Sequence, residues 1–287
     1  MSEQWARMDG KVCIVTGSTS GTGYVTALEL ARAGAEVIMV CRSEVKGRAA
    51  QAQIRASAGH DKVHLIVADL AEMAQVRRAA DEINERFSQV NVLVNNAGGV
   101  VMPRRATSSG LEAMFAGNYL GHFLLTLSLL DVLGRSADAR IINVSSSAHR
   151  SATIDFDDLQ LTAPYKGSRG YGQSKLAQIL FTYELARRLK GRGVTVNALH
   201  PGAVRSGFKD GVPKWARPIA AAAYFLVGIS PEMGADTILY LATSSEVTGV
   251  SGKYFVKRKA VRSNEASYDE ALQHRLFDTS QKLLASL

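Results

Sequence analysis

Short apolar runs rich in valine and isoleucine recur along the chain, separated by stretches of helical periodicity. The first run, Val12–Thr16, passes through a glycine-rich turn into an amphipathic pattern that continues to about Ala33. Further strands are expected at 36–41, 62–68, 90–94, 140–144, 193–199 and 253–256. Helices are expected at 44–58, 73–88, 109–133, around 171–175, 231–243 and 267–284. This alternation predicts an α/β fold: a doubly wound, parallel, seven-stranded sheet of the Rossmann type in one domain spanning 1–287. Ligands of such sheets gather at the carboxyl ends of the strands. The polar signatures fall at those ends, from the glycine turn to Asn95-Asn96-Ala97-Gly98, Ser145-Ser146-Ser147 and Pro201-Gly202. One crevice could collect them all.

Composition narrows the classes. The 287 residues are 46% hydrophobic and 21% charged, without repeat or low-complexity tract, which is the profile of a folded globular chain. Cys13 and Cys41 sit inside apolar runs with no ligand-spaced partners, so buried thiols in a reducing compartment are expected, and no metal site. The first ten residues lack the charged-then-apolar order of a secretory signal, and a cytoplasmic location is expected. The longest uncharged apolar segment, 219–229, falls well short of the ~20 residues of a membrane span. The net charge of +8 is dispersed and carries no aromatic-interleaved basic stripe. Nucleic acid is therefore not an expected partner, and weak attraction to an anionic membrane surface is the most that the charge supports.

Three local patterns carry chemistry. Gly17-Ser18-Thr19-Ser20-Gly21-Thr22-Gly23 stands between a strand and a helix, where glycines let the backbone approach a pyrophosphate and the helix N-terminus offers amide donors. The second strand ends in Cys41-Arg42-Ser43, with no acid to hold a ribose 2′-hydroxyl and an arginine able to pair with a 2′-phosphate. NADP(H) is therefore expected over NAD(H). Tyr171 and Lys175 lie four apart, on one face of a helix, so that an ammonium can draw the phenol towards a range where it trades protons with an alcohol or carbonyl. Tyr165 and Arg169 repeat that spacing, but arginine is too basic to share a proton and the nearby glycines disfavour helix there.

With these motifs in place the chain resembles the short-chain dehydrogenase/reductase family over nearly its full length. Thr16-Gly17-x3-Gly21-x-Gly23 resembles the family's cofactor turn, Asp69-Leu70 its adenine contact, and Asn95-Asn96-Ala97-Gly98 its wall beside the adenine ribose. Asn118, Ser146, Tyr171 and Lys175 match its catalytic tetrad position by position, and Pro201-Gly202 matches the turn near the nicotinamide. The resemblance thus implies cofactor contacts from Gly17, Ser18, Thr19, Gly21, Thr22, Gly23, Arg42, Asp69, Leu70, Asn95, Ala97, Gly98, Tyr171, Lys175, Pro201, Gly202 and Val204. Segments such as Asn118-Tyr119-Leu120-Gly121-His122-Phe123 are similar to the retinol dehydrogenase branch and its bacterial relatives. Thr22 stands where the family usually has isoleucine, and the Ser146–Tyr171 connection is about twice the family's common length, as in that branch.

The expected activity is reversible hydride transfer between NADP(H) and the carbonyl or alcohol carbon of a lipophilic substrate, a small aldehyde, ketone or alcohol. Tyr171 acts as acid or base, Lys175 tunes it and holds the nicotinamide ribose, Ser146 binds the substrate oxygen and Asn118 helps carry the proton, as the family implies. Two other readings are a catalytically silent NADP(H)-sensing regulator, against which the intact tetrad argues, and a peripheral membrane-binding module. The region 203–229, with Phe208, Trp215, Tyr224, Phe225 and Leu226, is expected to form a lid over the substrate. His122, His149 and His200 are expected to be structural, and a homo-oligomer is expected.

Overall fold

A computed structural model describes residues 5–162, 164–203 and 228–287. The strands β1 (Val12–Thr16), β2 (Glu36–Cys41), β3 (Val63–Val67), β4 (Val92–Asn95), β5 (Ala139–Val144), β6 (Val194–His200), β7 (Tyr254–Val256) and β8 (Lys259–Val261) form one sheet. Their order is β3-β2-β1-β4-β5-β6-β7-β8. The first seven run parallel, and the order reverses between β1 and β4, where sheets of this kind bind ligands at the carboxyl ends of their strands.

Among the described residues the sheet has eight strands rather than seven. β8 folds back antiparallel on β7 through Lys257 and Arg258, both in the left-handed region at φ 50° and 62°. A two-residue hairpin of this hand normally announces itself with asparagine or glycine. Here Arg258 is held from outside: its N–H donates to Thr237 and its guanidinium pairs with Asp236 and lies over Trp5 and Tyr240. Tertiary contacts hold a turn that its own residues disfavour.

Helices α1 (Gly21–Arg32), α2 (Glu44–Ala58) and α7 (Pro231–Thr243) pack on one face of the sheet. On the other lie α3 (Met73–Arg86), α4 (Gly121–Ser128), α5 (Leu130–Gly134), α6 (Gly167–Arg188) and α8 (Glu270–Ala285). The alternation of β1 serves both layers: Val12 and Ile14 join one core, Cys13 and Val15 the other. The helix expected over 109–133 is instead three pieces, a π-helix at Phe115–Leu120 followed by α4 and α5, with the break at Leu129. Gly121 donates its N–H to Ala116, five residues back. Leu70 explains the fit: a side chain at Gly121 would collide with its carbonyl, so the helix presses directly on the segment after β3. Among the described residues, no helix is long and apolar enough to cross a membrane.

Candidate active site

The glycine turn is built from close backbone approach. Gly17 has φ +69°, and a Cβ there would lie 2.8 Å from the Ala97 Cα. Gly23 would drive a side chain into Asn96 and the Gly17 carbonyl. Ser20, at the N-cap of α1, makes no capping bond, and no acid occupies the first turn. That leaves the helix N-terminus electropositive and lined by backbone, which fits a pyrophosphate. Ser18 is buried, its hydroxyl donating to the Val15 carbonyl and meeting the Cys41 sulfur at 3.3 Å. Its side chain braces the turn against β2. Thr19 is half-buried at the mouth and Thr22 is buried in α1.

Arg42 leaves the end of β2 exposed, and among the described residues no carboxylate pairs with it. Ser43 caps α2 next to it. Asp69 accepts the Ala71 N–H and remains half-exposed, whereas Leu70 is buried. Asn95 has no exposed surface: its amide donates to Thr126 and to Asn143, which in turn donates to Thr182. The side chain of Asn95 therefore ties β4 to β5, α4 and α6. Pro201 and Gly202 follow β6, Gly202 at φ +97°. Val204, and with it 204–227 of the expected lid including Phe208, Trp215, Tyr224, Phe225 and Leu226, lies outside the described residues.

Asn118 sits within the π-helix, and its side chain is fully engaged. Its Oδ1 accepts the Gly99 N–H, and its Nδ2 donates to the Gly99 carbonyl and to Ser174, each at 3.0 Å. Gly98 is wedged between, since a Cβ there would be 3.0 Å from Asn118 Oδ1 and 3.3 Å from the Lys175 ammonium. Asn118, Lys175 and the Asn96-Ala97-Gly98 loop thus meet at one point.

Lys175 is 3% exposed. Its Nζ donates to the Val144 carbonyl and to Gln178 Oε1, both at 2.9 Å, and lies 5.7 Å from the centroid of the Tyr171 ring. Burial pushes its pKa down to about 7. Tyr171 is half-buried beside it on α6. Of the three serines, Ser145 is buried and donates to the Lys175 carbonyl, and Ser147 is exposed. Ser146 is half-exposed, accepts the Ala148 N–H, and caps a 3₁₀ turn at Ser147–Ser151. Gly172 lets that turn close on α6, because a side chain there would press on Ala152 and the Ala148 carbonyl. Sequence order placed these residues far apart; the turn brings Ser146 to the helix of Tyr171.

The Tyr165–Arg169 pair is dismantled: Tyr165 bonds Glu112 and the Val101 carbonyl, and Arg169 pairs with Asp155. Two residues of the site, Gln178 and His122, were not singled out for it by sequence, and Thr16 was named only as the first residue of the glycine motif. Thr16 accepts the N–H groups of Asn96 and Ala97, Gln178 holds the lysine, and His122 bridges Thr16 and Asn118. His122 and Gln178 had a readable signal, spacings of four and three residues from Asn118 and Lys175.

A reversing parallel sheet, a glycine cradle at its switch point and a buried lysine beside a tyrosine define a Rossmann-type oxidoreductase. The short chain dehydrogenase family model matches residues 11–217. Human retinol dehydrogenase 13 is 44% identical, covering 97% of this chain and 86% of its own, and human polyprenol dehydrogenase is 39% identical, covering 96% and 86%. Among solved structures, an uncharacterised Mycobacterium paratuberculosis protein is similar at TM-score 0.80 and 32% identity, with 98% and 96% covered. Pseudomonas aeruginosa RhlG in an NADP active-site complex is similar at TM-score 0.68 and 28% identity, with 87% and 95% covered. The chain belongs to the short-chain dehydrogenase/reductase family, in its retinol dehydrogenase-like part.

Proposed function

We propose that the protein transfers a hydride between NADP(H) and the carbonyl or alcohol carbon of a lipophilic substrate. The observation that carries this reading is the meeting of Lys175, Asn118 and Gly98 beside Tyr171, at the strand ends that face the glycine cradle. The nicotinamide, when bound, supplies the hydride. Tyr171 exchanges the proton with the substrate oxygen, acting as acid in reduction and base in oxidation. Lys175 favours the phenolate and is placed to hold the nicotinamide ribose. Ser146, whose hydroxyl hydrogen no described residue takes, donates to the substrate oxygen as charge develops there.

Two features support the finer assignments. Arg42, which no carboxylate among the described residues pairs with, offers a fork for a 2′-phosphate, and RhlG carries NADP in its complex. The strip after the Asn96-Ala97-Gly98 loop, Val100-Val101-Met102, is apolar and partly open, with Met102 42% exposed and packed against Gly167 at the start of α6. An apolar lip one helical turn before the tyrosine suits a lipophilic alcohol or aldehyde, the kind of substrate in the names of the retinol and polyprenol dehydrogenases. The buried free thiols Cys13 and Cys41 accord with a reducing, cytoplasmic setting.

The test is a panel of apolar aldehydes, ketones and alcohols followed by NADPH absorbance in both directions. Tyr171→Phe is expected to lower turnover at least ~100-fold with nucleotide affinity nearly intact. Near-normal turnover would refute the reading. Arg42→Asp should weaken NADP(H) binding far more than NAD(H) binding, and equal losses would displace the 2′-phosphate from this arginine.

A further inference from the structure

His122 is 1% exposed and lies beneath the point where the nucleotide loop and the proton-transfer residues meet. Its Nδ1 is 3.0 Å from the backbone oxygen of Asn118 and its Nε2 is 2.9 Å from the Thr16 hydroxyl. These two contacts determine every hydrogen. A carbonyl only accepts, so Nδ1 carries the proton; a neutral ring then presents a lone pair at Nε2, which takes the Thr16 hydroxyl hydrogen. With its hydrogen directed at the ring, the Thr16 oxygen turns its lone pairs to the N–H groups of Asn96 and Ala97, both at 2.9 Å. The alternative acceptor for Thr16, the Val94 carbonyl, is farther at 3.3 Å. The ring stays neutral here, since burial pushes its pKa down to about 4; the Asn118 carbonyl partly opposes this and the Lys175 charge adds to it.

We propose that His122 is a positioning residue that locks the nucleotide loop to the proton-transfer site: its Nε2 fixes Thr16, and through it Asn96 and Ala97, while its Nδ1–H fixes the Asn118 backbone. The proposal rests on the hydride-transfer reading above for what the two ends do. Asn118 in turn holds Gly99 and Ser174, the residue before Lys175, so a turn of the ring would be felt on both sides. Any buried imidazole needs partners for both nitrogens; here one comes from the nucleotide turn and the other from the proton-transfer side.

Asparagine ends its side chain where Nδ1 sits and glutamine where Nε2 sits, so two substitutions separate the two bonds. His122→Asn keeps a donor to the Asn118 carbonyl and loses Thr16. It is expected to weaken nucleotide binding about tenfold, the worth of one buried hydrogen bond, while kcat at saturating nucleotide changes much less. His122→Gln keeps an acceptor for Thr16 and loses Asn118, and the expectation reverses: kcat falls about tenfold and nucleotide affinity is largely kept. Equal losses of both parameters in both variants, or no loss in either, would overturn the proposal and leave packing as the role of the ring.

Should the variants not fold, nitrogen NMR of histidine-labelled wild-type protein decides instead. An Nδ1-protonated neutral His122 is expected, and the Nε2-protonated form would overturn the proposal. Nucleotide binding and NMR require no turnover. If no substrate is turned over by the wild-type chain, the hydride-transfer reading falls, while these two measurements still test His122.

Discussion

Lys175 is an amine buried with only neutral acceptors, the Val144 carbonyl and Gln178, among the described residues. Its folded pKa of about 7 lies below the ordinary lysine value of 10.5, so between those values the unfolded chain binds a proton that the folded chain does not. Stability must then rise with pH across that window, and below it the full penalty of burying the ammonium is present. Lys175→Met removes the penalty. The variant is expected to melt a few degrees higher than wild type near pH 7, with the difference shrinking as pH rises towards 10, and to lose turnover. Melts from about pH 6 to about pH 9 check this. A variant that melts lower throughout would mean the folded chain stabilises the charged amine. His122 has the same sign at lower pH: its pKa falls from 6.5 to about 4, so its contribution destabilises the fold as pH drops through that interval. In the sequence Tyr171 and Lys175 were legible from their helical spacing and the serine triplet from its strand end, whereas Asn118, and Ser146 among the three serines, were carried by the family resemblance. The roles of Thr16 and Gln178 were not legible, although Thr16 opens the glycine motif and Gln178 lies three residues after Lys175, since a hydrogen-bond partner defines each; Thr16 meets His122 across 106 positions.

At the scale of elements, periodicity located every parallel strand to within two residues, because a strand buried on both faces is an uninterrupted apolar run. It failed where an element is stabilised from outside. β8 is three exposed residues behind a Lys257–Arg258 turn, and only Asp236, Thr237, Trp5 and Tyr240 reveal why that turn forms. The π-helix at 115–120 has the same period as an α-helix at the resolution of a sequence pattern. Its register is set by contacts: Glu112 accepts the N–H groups of Met114 and Phe115, and Gly121 presses on Leu70. Past the π-turn the four-residue spacing of a helix takes over. Asn118, His122 and Thr126 stay on the inner face and meet, in turn, Gly99, Thr16 and Asn95. On the facing helix α6, Lys175, Gln178 and Thr182 do likewise. The row from Thr126 through Asn95 and Asn143 to Thr182 joins the two helices beneath the site, so the polar residues that look out of place in the core are the ones that hold the reacting groups in register.

For the molecule as a whole, the deciding packing is that of α8. It lies across α4 and α6, where Phe277 meets Phe123 at 5.0 Å and Phe181 at 6.3 Å between ring centroids, and Ser280 bonds the Tyr119 hydroxyl. Arg188 lies 3.9 Å above the Phe277 ring, and Gln273 accepts from Arg187. The apolar face of the helices that carry Tyr171 and Asn118 is thus covered by the chain's own last helix, and a self-association through that face would have to displace it. Phe277→Ala is expected to destabilise the fold by about 3–5 kcal/mol, as large-to-small changes in aromatic clusters do. Deleting 270–287 would leave Tyr119, Phe123 and Phe181 open to water, an exposed patch that proteins bury by association. The shortened chain should therefore dimerise or aggregate at concentrations where the full chain shows no contact through α4 and α6. Sedimentation of the two chains, with denaturant melts of Phe277→Ala, measures both effects. A shortened chain that sediments like the full one and melts normally would show that α8 rests on the core without closing it.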